Sequence, residues 1–277
     1  MEQLSGKVAV ITGAASGIGR AMAERFGAEG MSIVLADIEA GPLEAAATEL
    51  GDAGVKVLAV PTDVTDPASV DALALAAQRH FGAYHVVCNN AGVAGHLGPT
   101  WLTTLEDWRW VLDVNLGGVI NGIRSFVPAL VAQHEGHVVN TASLAAWTAP
   151  PAMGPYSATK HAVLAISETL RAELEAIGAG VGVSAVCPGL ISTNLMRSER
   201  NWPTRLGGEP PIPEDDLTTR MRALLAEGTT SGGIAPSAVA DAVVAGVKAN
   251  QFIVTTHPDQ VIAAAESRLA QAHQTAT

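Results

Sequence analysis

A chain of 277 residues suits one large domain, and its 48% apolar and 16% charged residues favour a filled core over disorder. A formal charge of -11 without any basic run argues against a nucleic-acid partner. No uninterrupted run of about 18 apolar residues is seen, so no membrane span is expected. Met1–Lys7 lacks the apolar stretch of a leader, and Cys88 and Cys187 lie far apart in apolar runs. They read as reduced core residues of a cytoplasmic protein, and no Cys/His group has metal-ligand spacing, so no metal is expected.

Short β-branched runs alternate with Ala/Leu-rich ones along the chain. Val8–Thr12 reads as a strand, Ile18–Glu29 as a helix, Ser32–Ala36 as a strand and Pro42–Leu50 as a helix. Val55–Val60, Pro67–Phe81 and His85–Cys88 continue the strand–helix–strand pattern. A long helix follows over Leu105–Gln133, then a strand at His137–Thr141, a helix at Tyr156–Ala176 and a strand at Val181–Val186. A short helix is expected near Asp215–Ala226 and a seventh strand at Gln251–Thr255. Strands without polar alternation are buried on both faces, which predicts an α/β fold: one Rossmann-type, doubly wound parallel sheet of about seven strands. The Leu190–Pro236 stretch is too long for a simple connection and reads as a substrate lid within one domain.

Chemistry concentrates where strands end. The first strand runs into Thr12-Gly13-Ala14-Ala15-Ser16-Gly17-Ile18-Gly19. Glycines there permit a tight turn and let backbone amides approach a pyrophosphate at a helix N-terminus. Asp37 ends the second strand, where a carboxylate accepts bonds from adenosine ribose hydroxyls and repels a 2′-phosphate. NAD is therefore expected over NADP. No Lys or Arg stands at Ser16 or Ile38 to bind such a phosphate, and Arg20 lies inside the helix. Asp63 and Val64 end the third strand and could line the adenine site, while Asp66 before Pro67 reads as a helix cap. Tyr156 and Lys160, four apart, share one helix face, where an ammonium can lower the phenol's pKa. Ser143 can hold a substrate oxygen.

Taken together, Thr12–Gly19, Asp63, Asn89-Asn90-Ala91-Gly92, Asn115, Ser143, Tyr156 with Lys160, and Pro188-Gly189 followed by Thr193 resemble the short-chain dehydrogenase/reductase family. The resemblance runs from Lys7 to about Thr193. It implies a catalytic tetrad of Asn115, Ser143, Tyr156 and Lys160, with Tyr156 exchanging the proton. It also implies that Lys160 bonds the nicotinamide ribose, and that Asn115 holds a water of a proton relay. Asn90, Ala91 and Gly92 would line the cofactor floor, and Ile191 and Thr193 would meet the carboxamide. The expected activity is NAD-dependent interconversion of a secondary alcohol and a ketone. An epimerase or dehydratase on the same scaffold and a silent cofactor-binding regulator are the competing readings.

The expected substrate is a bulky, apolar small molecule. Trp147, Met153, Leu195, Met196 and Trp202 fall on loops the family uses for substrate, and His96 follows Gly92 near the expected pocket. Trp101, Trp108 and Trp110 read as packing residues, as do His85, His137 and His161. The 105–133 and 156–176 helices resemble the pair from which family members build a four-helix interface, so a homotetramer is expected.

Overall fold

The computed structural model describes residues 1–208, 215–231 and 233–274. Seven strands form one sheet: β1 (Val8–Thr12), β2 (Ser32–Asp37), β3 (Val57–Pro61), β4 (Val86–Asn89), β5 (Gly136–Thr141), β6 (Val181–Val186) and β7 (Ile253–Val254). Their order is β3-β2-β1-β4-β5-β6-β7, and every pairing is parallel. Each strand is joined to the next through helix. The order reverses between β1 and β4, which opens a crevice at the carboxyl ends of those two strands.

The lack of polar alternation has its expected result. All five β1 residues are buried, with Ala9 and Ile11 facing one layer and Val8 and Val10 the other. The first layer is built by α1 (Gly17–Ala28), α2 (Ala40–Asp52) and α9 (Pro236–Ala249), through Met22, Phe26, Leu43 and Val243. The second is built by α3 (Pro67–Phe81), α5 (Gly118–Ala132) and α7 (Gly154–Ala176), through Leu73, Phe126, Leu130 and Leu170. Asp66 caps α3 as expected, its carboxylate accepting from the Ala68 amide at 3.0 Å.

The long helix expected over Leu105–Gln133 is interrupted. It divides into α4 (Leu105–Leu112), a π-helical turn (Asp113–Gly117) and α5. Such turns are energetically poor and are often retained at functional sites. This one holds Asn115, wholly buried. The Leu105–Ala132 stretch as a whole is long and apolar enough, by length and composition, to cross a membrane, although it contains no uninterrupted apolar run of that length. Its inner face, including Trp110, Val111, Phe126 and Leu130, packs into the protein.

After β5 comes a short α6 (Ala145–Thr148). After β6 the chain runs through two 3-10 turns, Leu195–Asn201 and Thr204–Leu206, and α8 (Asp216–Ser231). The terminal α10 (Pro258–Gln274) and α9 were not expected from sequence. Positions 209–214 and 232 of the expected lid lie outside the described residues.

Candidate active site

The loop after β1 folds as its glycines require. Gly13 and Gly17 take φ of +65° and +57°, in the left-handed region that side chains rarely enter. At Gly19 the reason is proximity: a Cβ would lie 2.1 Å from the Gly13 carbonyl oxygen. The turn is tied to the neighbouring strand ends. Thr12 Oγ1 accepts from the amides of Asn90 (2.9 Å) and Ala91 (3.1 Å), and Asn90 Nδ2 donates to the Thr12 carbonyl (2.9 Å). The Ala15 amide donates to Asp37 Oδ2 at 3.0 Å, which fixes the acidic side chain beside the glycine turn.

These strand ends open into a cavity of about 570 Å³. Gly13, Ser16, Gly17, Ile18, Asp37, Asp63, Val64 and Asn90, Ala91 and Gly92 line one part. Pro188, Gly189, Ile191 and Thr193 line the facing wall. Gly19 does not face the cavity but acts one layer back, through the close approach of helix and turn. Asp63 Oδ1 is held by the Thr65 amide (2.9 Å) and hydroxyl (2.8 Å).

Ser143, Tyr156 and Lys160 meet on the cavity wall. Helix α7 brings the last two to one face, and the end of β5 supplies the first. The Tyr156 phenol lies beside Ser143, which favours its charged form, and Ser143 Oγ accepts from the Ala145 amide at 3.0 Å. Lys160 Nζ donates to the Thr141 carbonyl at 2.8 Å and stands 5.5 Å from the centre of the Tyr156 ring. Gly92 leaves room for that ammonium: a Cβ there would stand 3.6 Å from Nζ. Burial lowers the Lys160 pKa to about 8. It also raises that of Tyr156, opposed by Ser143. Desolvation is thus the largest influence on Tyr156, and its direction is opposite to the lowering expected from a neighbouring ammonium.

Asn115 lies behind this group rather than on the cavity surface. Its Oδ1 accepts from the Val93 amide (2.8 Å), and its Nδ2 donates to the Val93 carbonyl (2.9 Å) and Thr159 Oγ1 (3.2 Å). The π turn therefore locks the loop after β4 against the base of α7.

Among the residues expected to form the substrate pocket, Met153, Leu195 and Met196 line the cavity with Ser143 and Tyr156. Three others do not, which corrects the expectation. Trp147 turns away into the core with Ala142 and Val163, its Nε1 donating to Cys187 Sγ at 3.5 Å. Trp202 packs edge-on to Trp110, with ring centres 5.1 Å apart, and donates to the Gly207 carbonyl. His96 is pinned by Asp107 (Nδ1 to Oδ1, 2.9 Å) beneath Trp202. These side chains hold the pocket's frame instead of its surface. The wall that sequence reasoning missed comprises Trp110, Val114, Leu225, His257 and Gln260. Three of these sit on the interrupted helix or on α8, and two at the start of α10, none with a local motif to mark them.

The short chain dehydrogenase model matches residues 7–204, most of the chain and all of the strand-end loops just described. The chain belongs to the short chain dehydrogenase family. It is therefore an oxidoreductase. It is 40% identical over 216 residues to the 1-deoxy-11-beta-hydroxypentalenate dehydrogenase of Streptomyces exfoliatus, covering 77% of this chain and 78% of the relative. It is 32% identical over 260 residues to the C alpha-dehydrogenase of a Sphingobium species, covering 94% of this chain and 83% of that one. A solved short chain dehydrogenase/reductase from Burkholderia phymatum, in complex with NAD, superposes with a TM-score of 0.90 at 40% identity, over 95% of this chain and 93% of that one.

Proposed function

We propose that this dehydrogenase interconverts a secondary alcohol and a ketone with NAD, on a bulky and largely apolar substrate. The observation that carries the reading is one cavity with two chemically distinct ends. A glycine turn and a carboxylate, Asp37, stand at one end, and a Ser143–Tyr156–Lys160 cluster at the other.

The residues fit a dinucleotide. The turn from Gly13 to Ile18 meets the N-terminus of α1, where free amides favour a pyrophosphate. Asp37, held by the Ala15 and Glu39 amides, offers its carboxylate to ribose hydroxyls. Asp63 and Val64 flank the adenine side, and Asn90, Ala91, Gly92, Pro188, Gly189, Ile191 and Thr193 frame the nicotinamide side. When bound, the nicotinamide supplies or accepts the hydride.

The remaining steps are done by the chain itself. Ser143 orients the substrate oxygen. In the oxidative direction Tyr156, as phenolate, removes the hydroxyl proton; in reduction the phenol returns it to the carbonyl oxygen. Lys160, as ammonium, favours the phenolate and hydrogen-bonds the cofactor ribose. Both ends of the Asn115 amide are engaged with Val93 and Thr159, so a relay water would be held by the backbone of the π turn. Met153, Leu195, Met196 and Leu225 exclude water and grip apolar substrate. The Leu190–Pro236 segment serves as the lid. It is fastened by Ser198, which accepts from the Ala94 amide at 3.1 Å, by Trp202 on Trp110, and by Arg205 on Asp113 at 2.9 Å. The likeness to a hydroxypentalenate dehydrogenase supports this reading. A panel of alcohols and ketones with NAD(H), followed by nicotinamide absorbance, tests it. Turnover of cyclic or aryl secondary alcohols is expected to exceed that of propan-2-ol and of polyols. A sugar alcohol as the best substrate overturns the apolar-pocket reading.

A further inference from the structure

The lid brings a guanidinium to the adenosine end of the cleft. Arg200 lies in the first 3-10 turn after β6 and lines the same cavity as Asp37 and Glu39. Its Nη2 and Nε donate to the two carboxylate oxygens of Glu39, at 2.7 and 3.1 Å. Its Nη1 donates to the carbonyls of Arg197 (2.7 Å) and Asn194 (3.3 Å), which fixes the plane of the fork. Asn201, the next lid residue, also favours the charged form of Glu39. Arg200 is close enough to Asp37 for that carboxylate to favour its charged form.

No Lys or Arg stands at Ser16 or Ile38, yet a cation reaches this end of the cleft from far along the chain. Arg20 is indeed occupied elsewhere, by Glu24 and Glu49. Arg200, however, is 161 positions from Glu39 in sequence and beside it in space. A free guanidinium there would attract a 2′-phosphate, for which its forked donors are well matched.

We propose that Glu39 is a second cofactor-selecting residue, acting by holding Arg200 in a two-armed pair and so withholding it from the 2′-phosphate of NADP. Asp37 selects against that phosphate by repulsion, and Glu39 by sequestering the lid cation beside it. This rests on reading the cleft as a dinucleotide site with the adenosine ribose at Asp37.

The test is equilibrium binding of NADH and NADPH, by nicotinamide fluorescence, to the wild type, Glu39→Gln, Arg200→Ala and the double variant. The wild type is expected to bind NADH and to discriminate against NADPH. Glu39→Gln frees a charge-assisted donor and is expected to tighten NADPH relative to NADH by about ten- to a hundredfold. That gain shrinks as salt is raised. It disappears in Glu39→Gln with Arg200→Ala, whereas Arg200→Ala alone leaves NADPH weak. An unchanged NADPH-to-NADH ratio in Glu39→Gln overturns the proposal. So does a gain that survives in the double variant, since loss of one negative charge then explains it without Arg200. A wild type that binds neither nucleotide overturns the dinucleotide reading itself. Glu39 is part-exposed and Gln keeps its shape, and circular dichroism of each variant checks that the fold is kept.

Discussion

Tyr156 is 7% exposed and packs with Leu97, Ala145, Met153 and Leu225. Replacing its hydroxyl by hydrogen leaves that packing in place while removing the group that would carry the proton to and from the substrate oxygen. Tyr156→Phe is expected to lower kcat by about 10²–10⁴-fold, the usual contribution of general acid–base catalysis, with NADH affinity nearly unchanged. Steady-state kinetics and fluorescence titration check both halves, and more than a tenth of wild-type turnover sinks the assignment. Met153→Ala and Leu195→Ala should reorder substrate preference, whereas Trp147→Phe should not, because Trp147 faces Cys187. At this scale, legibility followed sequence distance and backbone direction. The glycine turn and the Tyr156/Lys160 pair are local, so spacing alone locates them. Trp147, Trp202 and His96 sit on the right loops, but which way a loop side chain points depends on partners such as Cys187, Trp110 and Asp107 that spacing does not reveal. Arg200 with Glu39 was invisible for the same reason.

At the scale of elements, backbone proximity decides tolerance. Gly19→Ala would force a methyl to 2.1 Å from a backbone oxygen, which no side-chain motion can relieve. The turn between β1 and α1 must open, so a loss of NADH affinity of at least about tenfold and a lower Tm are expected. Gly51→Ala, in α2 with open space around it, is the control and should be neutral or stabilising by up to about 1 kcal/mol. Strand β5 carries a pH sensitivity of its own. His137 is fully buried, its Nε2 against Ser184 Oγ at 2.8 Å and its Nδ1 without a partner among the described residues. Burial lowers its pKa from 6.5 to about 3, and His85 on the neighbouring strand's edge shifts the same way. The unfolded chain therefore binds more protons between those limits. The stability is fully present above pH 6.5 and falls as pH drops towards 3, by about 1.4 kcal/mol per pH unit from His137. Urea midpoints at pH 7.5, 6 and 5 should fall in that order, and His137→Gln should flatten the trend; a midpoint independent of pH there would remove the argument. Strand positions were legible from apolar runs alone, whereas the π break in the long helix was not. The break places Asn115 against Val93 and Thr159, a tertiary engagement that helix periodicity does not encode.

At the scale of the molecule, the surface left by α4, α5 and α7 calls for a partner. Leu105, Leu112 and Ile120 are 67%, 38% and 42% exposed on the first two, and Trp101 just before them is 80% exposed. On α7 the outward positions include Ala158 and Ala165, two turns apart, small enough for another helix to approach closely. The high apolar content of Leu105–Ala132 has a physical use in this setting, since a helix with one face in the core and the other against a neighbouring subunit is apolar nearly all round. Mean hydropathy is positive although the net charge is -11, which fits surface withdrawn from water by association. Closed symmetric assemblies bury the same patch on each copy, so four helices, two from each subunit, would meet about a twofold axis. A homotetramer is the expected state, and light scattering at micromolar concentration should return about four times the chain mass. Ile120→Glu or Ala165→Glu would place a carboxylate in that contact with no partner and should split it, lowering the measured mass. Because α7 also carries Tyr156 and Lys160, the dissociated variant should lose turnover as well as mass, although neither substitution touches the cavity. A monomeric wild type, or a mass unmoved by both substitutions, removes this face as the subunit contact.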